Sequence, residues 1–100
     1  MSESFDKTRE TPIIREFRIV NQRGLHARAS AKFVQVAAAH QASVEVEKDG
    51  TSVGGTSIMG LMMLAASPGC SIRVTASGPE AEQVMSAIEE LIAGRFGEEL

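Results

Sequence analysis

Strand-like alternation of apolar and polar residues recurs along this chain, and each instance is cut off from the next by a turn or by a run with helical spacing. From Ile13 to Val20, Phe17 and Ile19 fall on one face and Glu16 and Arg18 on the other, as a half-buried strand requires. Asn21-Gln22-Arg23-Gly24 breaks that pattern. Val44 and Val46 alternate with Glu45 and Glu47, and Lys48-Asp49-Gly50 turns the chain into Thr51-Ser52-Val53. That predicts a hairpin whose shorter arm ends at Gly54-Gly55. Ile72, Val74 and Ala76 alternate with Ser71, Arg73 and Thr75 as one more strand.

The intervening runs read as helices. From Ala27 to about Ala39 the sequence is alanine-rich, and Ser30, Phe33, Val34, Ala37 and Gln41 share one stripe anchored by Phe33 and Val34. Arg28, Lys32 and Gln35 lie on another face, toward solvent or a partner. Thr56-Ser57 places a hydroxyl at the N-cap of Ile58-Met59-Gly60-Leu61-Met62-Met63-Leu64, with Leu61 and Leu64 in the core and Pro68-Gly69 as the stop. After Gly78-Pro79, the residues Ala81, Val84, Met85, Ile88, Leu91 and Ile92 form an amphipathic stripe closed by Gly94.

The element order is β-α-β-β-α-β-α. A sheet with one buried face needs its helices on that face, so the fold class is α/β, an α+β two-layer sandwich whose other sheet face is open to water. Met1 to about Thr11 is polar, with Phe5 its only large apolar residue, and reads as a flexible tail over residues 1–11 ahead of one domain over 12–97.

Composition narrows the function classes. A net charge of −3, the lack of a long basic run, and four phenylalanines as the only aromatics weigh against nucleic acid as the main partner. The single cysteine, Cys70, has no intramolecular partner and is expected to pack beside the sheet as a small apolar residue. With no bilayer-length apolar run and no signal peptide, the expected setting is cytoplasmic and reduced, away from the membrane. His26 and His40, without paired cysteines or convergent carboxylates, give no metal-site signal, and His40 reads as a surface residue at a helix end.

Gly24-Leu25-His26-Ala27-Arg28-Ala29-Ser30 carries the chemistry. It puts a histidine where a strand gives way to a helix. The first helical turn leaves backbone N–H groups without intrahelical partners, and the macrodipole adds positive charge, so an anion finds donors there. Arg28 supplies a planar, permanent cation. His26 is the one group in the cluster able to accept a phosphoryl group covalently, because a neutral imidazole nitrogen is nucleophilic. Taken alone, a histidine at such a junction is most often a cap or loop residue, and a serine before a short helix is a cap.

Together, Gly24-Leu25-His26-Ala27-Arg28 and Ser57-Ile58-Met59-Gly60-Leu61-Met62, in this element order, resemble the histidine phosphocarrier family, HPr and its nitrogen-branch relative NPr, over about Phe17 to Gly94. The resemblance implies an HPr-like open-faced β-sandwich, with a four-stranded antiparallel sheet in the order first, fourth, second, third and three helices on one face. It implies a monomeric phosphocarrier of the phosphoenolpyruvate-dependent phosphotransferase system, needing no cofactor and not a turnover enzyme by itself. His26 would be phosphorylated on Nδ1 by phospho-Enzyme I and would pass the group to a histidine of a IIA-type domain. Arg28 would balance phosphoryl charge, and the backbone N–H groups of Ala27 and Arg28 would be fixed donors. Ile58, Met59 and Met62 would form the apolar patch on which both partners dock. Ser57 matches the regulatory serine modified by the bifunctional HPr kinase/phosphorylase in bacteria that carry it. A phosphate there adds about −1.5 to −2 charges at the patch edge and should weaken docking.

The chain departs from the family pattern at Ala29, where many members have proline, and at Gln35, Ala38 and Gly60, where several sugar-branch members carry lysine. Its Ala93-Gly94-Arg95-Phe96-Gly97-Glu98-Glu99 resembles the end of nitrogen-branch carriers. Two functions follow as alternatives: a carrier of phosphoryl flux, or a regulatory docking module whose binding is switched by phosphorylation.

Overall fold

In the computed structural model, which describes residues 11–98, the chain forms β1 (Ile13–Arg18), α1 (Ala27–Ala38), β2 (Ser43–Lys48), β3 (Thr51–Gly54), α2 (Ile58–Met63), β4 (Ser71–Ser77) and α3 (Ala81–Ala93), then a 3-10 turn over Arg95–Gly97. The strands pair antiparallel in the order β1-β4-β2-β3. The inner face of β4 supplies Ile72, Val74 and Ala76, all buried; Phe17 lies opposite Ile72 on β1, and Val46 opposite Val74 on β2. Phe33 of α1, Leu61 of α2, and Val84, Met85 and Ile88 of α3 close over that face. The outer face is polar, with the cross-strand partners Glu47 and Arg73 3.5 Å apart.

The β2–β3 hairpin turns on Asp49 (φ 52°) and Gly50 (φ 83°), two left-handed residues whose twist suits a two-residue connection. The tail expected over Met1–Thr11 lies, up to residue 10, outside the described residues.

Several expected boundaries are corrected. The first strand stops at Arg18 rather than Val20, because Ile19 exchanges backbone bonds with the loop before β4: Ile19 N to Cys70 O at 2.8 Å and Gly69 N to Ile19 O at 2.9 Å. Helix α1 ends at Ala38 with Ala39 as its cap, close to the expected end, so Gln41 is not on its stripe: it is exposed and tied to the start of α3, its N–H donating to Glu80 Oε1 at 2.7 Å. Helix α2 ends at Met63, short of Pro68-Gly69, since Ala65 turns left-handed at φ 54°. Gly94 closes α3 as expected, but its φ is −84°, and the left-handed reversal falls on Arg95 (φ 59°) and Phe96 (φ 55°). The buried Phe96 side chain and a bond from Lys32 Nζ to Phe96 O at 2.7 Å hold that turn against α1. Cys70 is partly exposed in a loop, its Sγ 3.4 Å from Ser67 Oγ, rather than packed as an apolar residue. That hydroxyl contact lowers the thiol pKa.

Two loops decide where the histidine stands. Leu25 N donates to Ala66 O at 2.9 Å, which joins the segment before α1 to the segment after α2. Gly24 permits the approach, since a Cβ there would lie 2.2 Å from Ala66 O. Asn21, fully buried, donates from Nδ2 to Gly24 O at 2.9 Å and Ser30 Oγ donates to Leu25 O at 3.1 Å, so the loop is fixed from within.

Candidate functional site

His26 is the N-cap of α1, with extended backbone (φ −72°, ψ −179°), and its carbonyl accepts the first helical bond from Ser30 N at 2.8 Å. Its Nδ1 accepts a hydrogen bond from the Arg28 N–H at 3.2 Å. The imidazole thus takes the place that Ser, Thr, Asn or Asp usually hold at a cap. No acidic side chain occupies the first turn of α1, so the positive end of the helix stays unneutralised within it. Arg28 and Ala27 are exposed at the same end.

The histidine borders an open cleft of about 470 Å³ lined by Gln22, Arg23, Arg28, Lys32 and Glu98 among others. Three cationic side chains face one carboxylate there. Glu98 comes from the segment after the 3-10 turn, and its Oε1 accepts from Gln22 N at 2.6 Å and Arg23 N at 3.4 Å. Its Oε2 is buried, makes no hydrogen bond among the described residues, and lies 3.6 Å from His26 Nε2. Burial pushes the Glu98 carboxyl up, but the Gln22 and Arg23 amides, with Asn21 and His26 adding to them, hold it below the ordinary glutamate value.

Helix α2 packs against α1 and β3. Ser57 caps it, its Oγ accepting from Gly60 N at 2.9 Å. Ile58, Met59 and Met62 are exposed as expected, while Leu61 and Leu64 are buried. Met63 is the most exposed of the group at 76% and belongs with Met59, four residues earlier on the same helix face. That spacing was available in the sequence. Glu98 had no such local signal, and Arg23 and Lys32 read only as loop and surface charges. His40 sits at the end of α1 with Nδ1 2.9 Å from Val36 O. No helix among the described residues is long and apolar enough to cross a membrane.

Comparison with known proteins meets this geometry. Residues 13–94 match the family model described as the PTS HPr component phosphorylation site. The chain is 45% identical over 84 residues to phosphocarrier protein HPr of Cupriavidus necator, covering 84% of this chain and 94% of the relative. It is 49% identical over 80 residues to the HPr of Neisseria meningitidis serogroup A, covering 80% and 90%. Among solved structures, HPr-C-His from Thermoanaerobacter tengcongensis superposes with a TM-score of 0.84 at 41% identity, over 88% of this chain and 99% of that one. A histidine capping a helix beside a cationic cleft, in an open-faced sandwich of this strand order and with relatives of this closeness, makes the chain a member of the HPr family of phosphocarrier proteins of the phosphotransferase system.

Proposed function

We propose that this protein accepts a phosphoryl group on His26 Nδ1 from phospho-Enzyme I and passes it to a histidine of a IIA-type protein, as a monomeric carrier in the cytoplasm. The observation that carries the reading is the Arg28 N–H directed at Nδ1 from 3.2 Å, at the N-terminal end of α1, whose first turn holds no acidic side chain. The donor that caps the imidazole in the resting protein lies where a phosphoryl oxygen would need one. In transfer, the Nδ1–P bond forms as the donor's P–N bond breaks, and the electron pair stays on the donor nitrogen. Arg28 N–H then bonds a phosphoryl oxygen, the Ala27 N–H is a second fixed donor, and the Arg28 guanidinium balances charge.

A carrier must hold its cargo and release it. Helix-end electrostatics, worth ~0.3–1 kcal/mol and up to ~2 when partly buried, suit that need better than a deep site. Ala29 keeps a free N–H in the first turn where many relatives have proline. Incubation with phosphoenolpyruvate and Enzyme I should give an acid-labile, alkali-stable phosphoprotein. Full labelling of His26→Ala would refute the assignment.

A second reading, a regulatory docking module, is favoured by the exposed side chains of Ile58, Met59, Met62 and Met63 on one short helix. Methionine suits a surface that must fit more than one partner. Ser57, exposed at the edge of that patch, is the residue an HPr kinase/phosphorylase would modify.

A further inference from the structure

We infer that Glu98 is a positioning residue for the phosphoryl chemistry of His26: its carboxylate fixes the imidazole in the tautomer that leaves Nδ1 free to attack, and balances the charge the ring then acquires. The inference rests on the phosphocarrier reading above and adds to it a residue from the far end of the chain.

The two ring nitrogens are addressed from opposite sides. Nδ1 accepts from the Arg28 N–H at 3.2 Å, so in the neutral ring it carries no proton, and the proton belongs on Nε2. Nε2 faces Glu98 Oε2 at 3.6 Å. That separation is too long for a hydrogen bond and short enough for a strong charge interaction. Oε2 is buried without a hydrogen bond of good geometry, and the groups that favour its charge there are the Asn21 side chain and His26. A proton on Nε2 leaves Nδ1 free to accept from Arg28 and turns positive charge toward Oε2, whereas the opposite tautomer sets Nδ1–H against the Arg28 N–H and a lone pair against the carboxylate.

The carboxylate is not free to wander. Oε1 is held by the Gln22 and Arg23 amides at 2.6 and 3.4 Å. Its own N–H donates to Arg95 O at 2.8 Å, and the preceding turn is pinned by buried Phe96 and by Lys32 Nζ on the Phe96 carbonyl. The charged groups around the cleft are Arg28 and Lys32 from α1, Arg23 from the loop before it, and Glu98, its one carboxylate among the described residues.

When Nδ1 attacks phosphorus, the new N–P bond forms, the donor's N–P bond breaks with its electron pair leaving on the donor nitrogen, and Nε2 keeps its proton. The ring becomes a cation. Glu98 takes no proton; it stabilises that cation, as a carboxylate behind a nucleophilic histidine system does. In onward transfer the same steps run in reverse, and the ring returns to its neutral Nε2–H form.

The test uses the full chain with 15N-labelled imidazoles. Wild-type protein should show Nε2 protonated and Nδ1 bare in the neutral ring. Glu98→Gln, whose amide N–H₂ can turn toward Nε2, should move the population toward the Nδ1–H tautomer and slow phosphoryl uptake from phospho-Enzyme I at least tenfold. Glu98→Asp should recover part of both. A wild-type tautomer ratio in Glu98→Gln, with uptake within twofold of wild type, would overturn the inference. So would a lowered melting temperature with no tautomer change, which marks a loop cap and nothing more. If wild-type His26 is not phosphorylated at all, the phosphocarrier reading fails, while the nitrogen shifts still decide whether Glu98 sets the tautomer.

Discussion

At the scale of single residues, the site depends on one backbone position as much as on the histidine. Gly24 sits at φ 65°, and a Cβ there would meet Ala66 O at 2.2 Å, in the middle of the contact that joins the two loops around the site. Gly24→Ala should destabilise the protein by at least about 1–3 kcal/mol from backbone strain, before the clash is counted. Chemical denaturation measures this, and an unchanged unfolding midpoint would mean that the loop relaxes freely. The placement of His26 and Arg28 was legible in the sequence because the cap and the first-turn cation are neighbours in it. Glu98 was not, since its place beside His26 depends on the left-handed reversal at Arg95 and Phe96. Those residues lie beyond the Gly94 that closes the last helix, and nothing local signals the reversal, since non-glycine residues seldom adopt that conformation. Cys70 was misread for a related reason: spacing cannot show that a hydroxyl three residues away, Ser67, will meet its sulfur.

At the scale of elements, periodicity served well where a face is buried. The hairpin turn, the inner faces of β2 and β4, and the stripe of α3 all fall where alternation and helical spacing put them. Placement failed where another segment supplies the hydrogen bonds, as Cys70 and Gly69 do for Ile19 at the end of β1 and Glu80 does for Gln41, a residue assigned to the α1 stripe. Helix α2 divides its residues sharply. Met59 and Met63 are 70% and 76% exposed, whereas Leu61 is fully buried. Met59→Asp and Met63→Asp should therefore leave the melting temperature within about 4 °C of wild type, since exposed sites change stability by less than ~0.5 kcal/mol. The same changes should weaken binding to Enzyme I tenfold or more by titration calorimetry, while Leu61→Ala should cost about 2–5 kcal/mol of stability. Ser57→Asp belongs with the methionine variants. An aspartate caps a helix well and suits its positive end, so the fold is kept and a loss of affinity reports the charge at the docking edge. Unchanged affinity in all three variants would remove α2 from the interface.

At the scale of the whole molecule, the open-faced architecture was legible because one polar and one apolar sheet face leave the helices a single side to cover. The order β1-β4-β2-β3 came from family resemblance, as alternation is silent about which strands are neighbours. The loop before α1 and the segment after the 3-10 turn meet at the site, and this gives stability a pH dependence. The folded protein holds the Glu98 carboxyl below its ordinary value of 4.5, chiefly by opposing burial with the Gln22 and Arg23 amides. Between the folded and unfolded values the unfolded chain binds more protons, so this contribution is complete above about pH 4.5 and is lost as pH falls through the folded value. Denaturation midpoints should drop over that acid interval in wild type and drop less in Glu98→Gln; parallel curves would show that Glu98 contributes nothing there.

The loop that presents His26 is secured by partners that are synthesised much later, Glu98 lying 76 residues beyond Gln22 and Phe96 lying 64 beyond Lys32. Contacts of such sequence separation form late, after the intervening chain has closed. A nascent chain that has emerged only as far as α2 therefore carries the histidine but not its surroundings. On the proposed reading, a chain that lacks the segment carrying Phe96 and Glu98 should therefore take up a phosphoryl group more slowly than one that has it.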